Sequence, residues 1–273
     1  IGTAQQLMRN KDKWQGTLMM VAQPAEEVGA GAKHMLKDGL FSKFALPDYV
    51  IGLHVSASLP AGSVGLVSGY TLANVDSVDI TVKGKGGHGA YPHTTVDPVV
   101  LDSRLVLALQ TIPSREVSPL EPNVVTVGSI HGGSKHNIIG DKVEMQLTVR
   151  SNNPEVREKL LDSIDRVAEG VAISLGVPKK LMPEVIRSKT ETTPPTINDR
   201  ESAEFVRAAI ASAMGDEVLY DQPREGMGAE DFAYFVTPDT GVKGVYMNVG
   251  GTPEKDVEDA PSHHSPFFKI EPE

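Results

Sequence analysis

Cysteine is missing from the 273 residues of this chain, which excludes disulfides and thiolate metal sites within it. Any metal must therefore be held by histidine, aspartate or glutamate. No apolar run approaches the roughly 20 residues that cross a bilayer, and no basic-then-apolar leader opens the sequence, so no membrane partner is expected. A cationic excess is lacking as well. The formal net charge of −10 argues against a nucleic-acid binder, because phosphate contacts need a basic surface. Internal repeats and low-complexity stretches are also absent. The rest is ordinary for a globular protein, 40% hydrophobic and 23% charged, and long enough to bury one large core or two modest ones. A cytoplasmic chain acting on small molecules or peptides is the expectation.

Glu26 and Glu27 are the most informative residues present, placed just past the apolar run Thr17-Leu18-Met19-Met20-Val21-Ala22 and the connector Gln23-Pro24-Ala25. A short, almost continuously apolar run stopped by a proline reads as a buried strand. The rim beyond the carboxyl ends of such strands is where open α/β sheets bind ligands. Two acids there can share one site, one on a metal and one moving a proton. Taken alone, the pair fits the acidic first turn of a following helix better.

Periodicity predicts a short helix over Gly31 to Gly39, a strand over Tyr49 to Leu53 with His54 at its end, and a turn at Pro60-Ala61-Gly62-Ser63. Strand alternation over Asp76 to Val82, a helix over Pro98 to Leu109, strands over Asn123 to Ile130 and Val143 to Arg150, a helix over Pro154 to Leu175 and a strand over Glu184 to Ser188 follow. That order is the βαββαβ plan of a ferredoxin-like unit. Thr190 to Thr196 reads as a linker, and a helix over Asp199 to Met214, a short helix over Ala229 to Phe235 and a strand over Gly244 to Val249 return to the first domain. The expected class is α/β, with a ferredoxin-like unit at 74–189 inserted between two parts of a larger domain, 1–73 and 190–273. The start at Ile1 and the stop at Glu273 without a closing element lead to the expectation that both ends are cut, a leader among the segments that could be lost.

Three histidine positions stand out. His88 lies among four glycines in Gly84-Lys85-Gly86-Gly87-His88-Gly89, where backbone can approach another chain or a ligand closely. His54, at the end of an apolar strand, reaches the same rim as the acidic pair, or serves a structural purpose there. His263 and His264 are neighbours in a loop before Pro266, and neighbouring side chains in an extended segment point opposite ways, so at most one of them faces a given site. Histidines and a carboxylate on separate loops suit zinc or manganese.

Five motifs occur in one order: Gln-Pro-Ala-Glu-Glu at 23–27, Gly-Leu-His-Val at 52–55, Gly-Gly-His-Gly-Ala-Tyr-Pro-His at 86–93, Gly-Ala-Glu-Asp-Phe at 228–232 and His-Ser-Pro at 264–266. Together they resemble the zinc-dependent aminoacylase and carboxypeptidase family, in the amidohydrolase branch that includes hippurate hydrolases and auxin-conjugate hydrolases. The resemblance implies a metallopeptidase-like catalytic domain with a ferredoxin-like dimerisation domain. It implies hydrolysis of the amide bond of N-acyl amino acids or short peptides by a metal-activated water. Residue by residue, it makes Glu26 the general base, Glu27, His54 and His264 ligands of zinc or manganese, and His88 the residue that reaches the partner's site in a homodimer to stabilise the oxyanion. Asn137 and Arg150 are similar to residues that bind the substrate carboxylate, while a turn and a strand end are their plain alternatives.

The sequence departs from the family in one respect. The family's remaining ligands, a cysteine and a histidine in a Cys-Gly-His-Asp type motif, lie upstream of the segment matching Ile1, and the family's last helix would follow Glu273. The resemblance thus leaves two further readings open: a truncated non-catalytic binding or dimerisation module without metal, and an esterase-like hydrolase working with a partial metal site.

Overall fold

The computed structural model of the protein describes residues 2–220 and 226–271. Helices α1 (Gly2–Arg9), α2 (Gly31–Lys37) and α3 (Leu40–Lys43) precede strands β1 (Tyr49–Pro60), β2 (Val64–Gly65), β3 (Gly69–Leu72), β4 (Val75–Lys83) and β5 (Gly87–His88). Next come α4 (Pro98–Leu109), β6 (Asn123–Gly132), β7 (Ile138–Ile139), β8 (Lys142–Ser151), α5 (Pro154–Ser174), β9 (Glu184–Thr193) and β10 (Thr196–Asn198). The order ends with α6 (Arg200–Met214), β11 (Leu219–Tyr220) and β12 (Lys243–Thr252).

The central unit is a four-stranded antiparallel sheet in the order β6-β8-β4-β9. With α4 after its first strand and α5 after its third, it completes the expected βαββαβ plan. Period-2 alternation dictates which face is covered. Val78, Ile80 and Val82 on β4 and Val143, Met145, Leu147 and Val149 on β8 are buried against Leu101, Leu105 and Leu109 of α4 and Leu160, Leu161 and Ile164 of α5. Both helices start where the sequence supplies a cap. Asp97 accepts from the N–H groups of Val99 and Val100, Asn153 accepts from that of Glu155, and a proline occupies the first turn of each helix.

Segments on either side of this unit build a second sheet, ordered β1-β12-β2-β11, in which β1 and β12 run parallel from Tyr49↔Lys243 to Ser56↔Gly250. β3 and β10 pair next to it. The two halves of the chain therefore belong to one α/β layer, and the βαββαβ unit leaves and re-enters it at β4 and β9. Asp76 secures that crossing: it accepts from Nε and Nη2 of Arg157, both at 2.7 Å, from Asn74 at 2.8 Å and from the Thr192 hydroxyl at 2.8 Å. Among the described residues, no helix is long and apolar enough to cross a membrane.

Three local expectations are corrected. Thr17–Ala22, read as a buried strand, is an extended segment without a ladder, and Leu18, Met20 and Val21 are exposed. An apolar run becomes a buried strand only where a neighbour supplies hydrogen bonds, and among the described residues none pairs with it. His54 is not at a strand end, because β1 continues through Ser56, Ala57 and Leu59, all buried. Thr190–Thr193, read as linker, continues β9, with Thr192 opposite Asp76 and Thr193 opposite Val75. Polar but β-branched threonines suit a half-buried ladder, so only Pro194-Pro195 separates β9 from β10.

Asp102 is the exception within the core. It sits on α4 at 3% exposure, its Oδ1 has no hydrogen-bond partner among the described residues, and burial pushes its carboxyl from 3.8 up to about 6. Between those values the folded chain holds a proton that the unfolded chain has released, so stability falls as pH rises through that interval. Asp102→Asn removes the buried charge. The variant is expected to match the parent in urea unfolding at pH 4 and to exceed it at pH 7 and above, and an equal difference at both pH values would contradict this assignment.

Candidate active site

The segment from Gln23 to Ala32 folds back on itself. Ala25 takes the left-handed conformation at φ 55°, Glu26–Val28 forms a single 3-10 turn, and the N–H of Gly29 donates to the carbonyl of Glu26 at 2.6 Å. The N–H of Ala30 donates to the carbonyl of Ala25 at 3.3 Å. The neck of this loop is tight, since a Cβ on Gly31 would lie 1.6 Å from the carbonyl oxygen of Pro24. Glycine at 31 is thus a packing requirement.

Below the neck lie Glu230 and Asp231, both buried, at the start of the 3-10 helix Asp231–Val236. Asp231 accepts from the side-chain amide of Gln23 and, at 3.0 Å, from the N–H of Ala32. Glu230 accepts from the hydroxyl of Tyr246 at 2.8 Å and from the N–H of Phe232 at 3.3 Å. Tyr246 reaches this position from β12, directly across the ladder from Gly52. A Cβ at Gly52 would approach the Tyr246 ring to 2.8 Å and the Phe232 ring to 2.9 Å, so the glycine of Gly52-Leu53-His54 makes room for both aromatics.

Oxygens of Glu26, Glu230 and Asp231 lie within 4.8 Å of one another. Burial, then the charges of Glu230, Asp231 and Glu27, push the Glu26 carboxyl up to about 7, with His54 acting in the opposite sense. Burial also raises Glu230, against the hydrogen bond from Tyr246. A carboxyl poised near neutrality can both take and return a proton.

Glu27 and His264 meet above the loop, Oε2 to Nε2 at 3.4 Å, with both side chains about three-quarters exposed. His264 and Ala25 are the two non-glycine residues with positive φ among those described. Each such residue costs about 1–2 kcal/mol, and both flank the same cluster. His54 places Nδ1 2.6 Å from the carbonyl oxygen of Val55; since a carbonyl only accepts, Nδ1 carries the hydrogen and Nε2 keeps its lone pair in the neutral ring. The adjacent histidines diverge at a turn rather than along the expected extended segment: the N–H of Ser265 donates to the carbonyl of Ser262 at 3.1 Å, and His264 takes φ 67°. His263 turns away from Glu27, accepting through Nε2 from the N–H of Ala57 at 3.2 Å and lying edge-on to His54 with ring centroids 5.2 Å apart.

The other expected site residues lie on the βαββαβ unit. His88 pairs through β5 with Ile138, its Nδ1 accepts from the N–H of Ala90 at 3.1 Å, and its ring meets Tyr91 edge-on. Asn137 adjoins it, its carbonyl accepting from Gly89 N–H at 2.8 Å while its half-buried side-chain Oδ1 has no partner among the described residues. Arg150 donates through Nη1 to the carbonyl of Met227 at 2.6 Å and through Nε to Thr148 at 3.3 Å, and burial lowers its pKa. It thus touches the loop that leads to Glu230. Gln23, Glu230, Asp231 and Tyr246 carry the interior of the site, and residue-level reasoning gave them no role. The signal available for three of them was membership of the motifs at 23–27 and 228–232; Tyr246 had none beyond its strand.

The family model described as Peptidase family M20/M25/M40 matches residues 1–272. The thermostable carboxypeptidase 2 of Saccharolobus solfataricus is 34% identical over 269 residues, covering 98% of this chain and 65% of the relative. The N-acetyl-L-cysteine deacetylase of Bacillus subtilis is 36% identical over 237 residues, 86% of this chain and 54% of the relative. The chain therefore spans less than two thirds of the length of these relatives. Among solved structures, the YXEP protein of Bacillus subtilis, described as a dinuclear metal-binding peptidase of the M20 family, superposes with a TM-score of 0.78 at 26% identity, covering 99% of this chain and 64% of that one.

Because the loop neck leaves no volume for a methyl group, Gly31→Ala is expected to lower stability by about 1–3 kcal/mol. Urea unfolding reads this directly, and an unchanged midpoint would show that the neck is not closed.

Proposed function

The chain belongs to peptidase family M20/M25/M40, and from that premise we propose that it hydrolyses the amide bond of N-acyl amino acids or short peptides with a metal-activated water. The observation that carries the reading is Glu26, poised at about 7 beside the Glu27–His264 pair. The relatives, a carboxypeptidase and an N-acetyl-L-cysteine deacetylase by name, support the substrate class.

Glu27, His54 and His264 would hold a divalent ion: Glu27 and His264 approach to 3.4 Å, and His54 keeps Nε2 open because Nδ1 is tied to Val55, while the ligand atoms of all three are not drawn within 4.8 Å of one another. Imidazole and carboxylate donors suit both zinc and manganese. Bound there, the ion supplies an acidified water and polarises the substrate carbonyl. Glu26 takes the proton of the attacking water and passes it to the leaving nitrogen. Burial, and after it the charges of Glu230 and Asp231, keep its carboxyl basic enough to do so near neutrality.

Residues 1–73 and 190–273 form the catalytic domain in this proposal, and 74–189 form a satellite domain through which two copies associate as a homodimer. His88 of one copy then lies at the other's site, where its ring offsets negative charge developing on the carbonyl oxygen. Asn137 and Arg150 hold the substrate carboxylate, a task for which Arg150 is anchored through Nε and Nη1.

Glu26→Gln is expected to lower hydrolysis of N-acetyl amino acids by about a hundredfold or more while leaving metal content unchanged. His264→Ala is expected to lose both. Turnover that survives Glu26→Gln, or that is indifferent to chelation, would overturn the proposal.

A further inference from the structure

The loop that carries Glu26 and Glu27 has no core of its own. Ala25, Glu27 and Val28 are exposed, the left-handed turn at Ala25 is unfavourable for a residue with a Cβ, and two backbone hydrogen bonds cross the loop. Such a segment keeps one geometry only when its surroundings over-determine it. The neck at Pro24 and Gly31 is already in backbone contact. Immediately beyond the neck, on either side, stand Gln23 and Ala32, and both donate to the same carboxylate, Gln23 to Oδ1 and Ala32 to Oδ2 of Asp231.

Asp231 is 1% exposed. Burying a carboxylate there is expensive where an apolar side chain would fill the space, so the residue type calls for a reason. A carboxylate has two acceptor oxygens at a fixed separation, and here one oxygen serves each flank. Ala32 lies in the first turn of α2, so the second arm also fixes where that helix begins.

We propose that Asp231 is a positioning residue, whose carboxylate clamps the two flanks of the 24–31 loop and thereby sets where Glu26 and Glu27 stand. The inference rests on the reading of Glu26 and Glu27 as base and ligand. Its structural half, the clamp, is independent of that reading.

The test uses the full chain with Asp231→Asn and Gln23→Leu, singly and together. The carboxamide turns an N–H₂ towards one of its two donors, and leucine removes the side-chain donor to Oδ1. Each variant is expected to speed amide hydrogen exchange in residues 25–31 by about tenfold or more, with exchange in β4 and β8 unchanged. Calorimetric titration of the metal-stripped chain with Zn²⁺ or Mn²⁺ is expected to show about tenfold or greater loss of affinity. The double variant should lose less than the sum of the two, because the arms act through one group. Unchanged exchange at 25–31, or acceleration spread evenly over the chain, overturns the clamp. If the unaltered chain binds neither ion, the metal reading fails while the exchange result still decides the clamp. Should Asp231→Asn not fold, Gln23→Leu carries the same comparison at a half-buried position.

Discussion

Parallel pairing of β1 with β12 is the constraint on which the site depends. It joins Tyr49–Pro60 to Lys243–Thr252 across the whole βαββαβ unit, and parallel strands cannot be joined by a tight turn. Closing so long a connection costs conformational entropy before any contact repays it. The return is a fixed register in which Gly52 faces Tyr246 and His54 faces Asn248. Tyr246 then reaches Glu230, and His54 comes edge-on to His263. A slip of one residue would turn these side chains to the opposite face.

Two acidic positions in this chain, buried Asp76 and half-buried Glu26, obey opposite electrostatic rules. Asp76 is met by a bidentate guanidinium and two further donors, so its charge is compensated where the sheet unit joins the rest. Glu26 is half-buried and surrounded by Glu27, Glu230 and Asp231, with His54 acting against them. The first arrangement suits stability, whereas the second holds a carboxyl near its proton-exchange point and leaves negative potential where a cation would be welcome. Positive φ at Ala25 and His264 belongs with the second, since strain of that kind persists where a site needs its geometry more than the chain needs the free energy.

Legibility in the sequence followed local physics. The alternation of Val78, Ile80 and Val82 and the helical periodicity of Pro98–Leu109 and Pro154–Ser174 marked these elements of the βαββαβ unit close to their observed bounds, whereas β9 runs on past the expected Ser188 to Thr193. Where pairing decided the outcome, local pattern misled: Thr17–Ala22 has a strand's composition but no partner, and Thr190–Thr193 has a linker's polarity but a ladder on β4. His54 was placed at a strand end because the apolar run pauses there, although β1 continues along β12.

By itself, the sequence determined which donors this stretch can offer a metal, because without cysteine its acids and histidines in five ordered motifs supply only oxygen and imidazole. It also determined the elements whose periodicity and caps are local. Only the tertiary structure decided which of these residues meet: Glu27 with His264, Gln23 and Ala32 with Asp231, Glu230 with Tyr246, and Arg150 with the loop before them. The reason is physical. A side chain's burial, and with it the raised pKa of Glu26, is set by neighbours more than 200 residues away along the chain, and no local pattern records them.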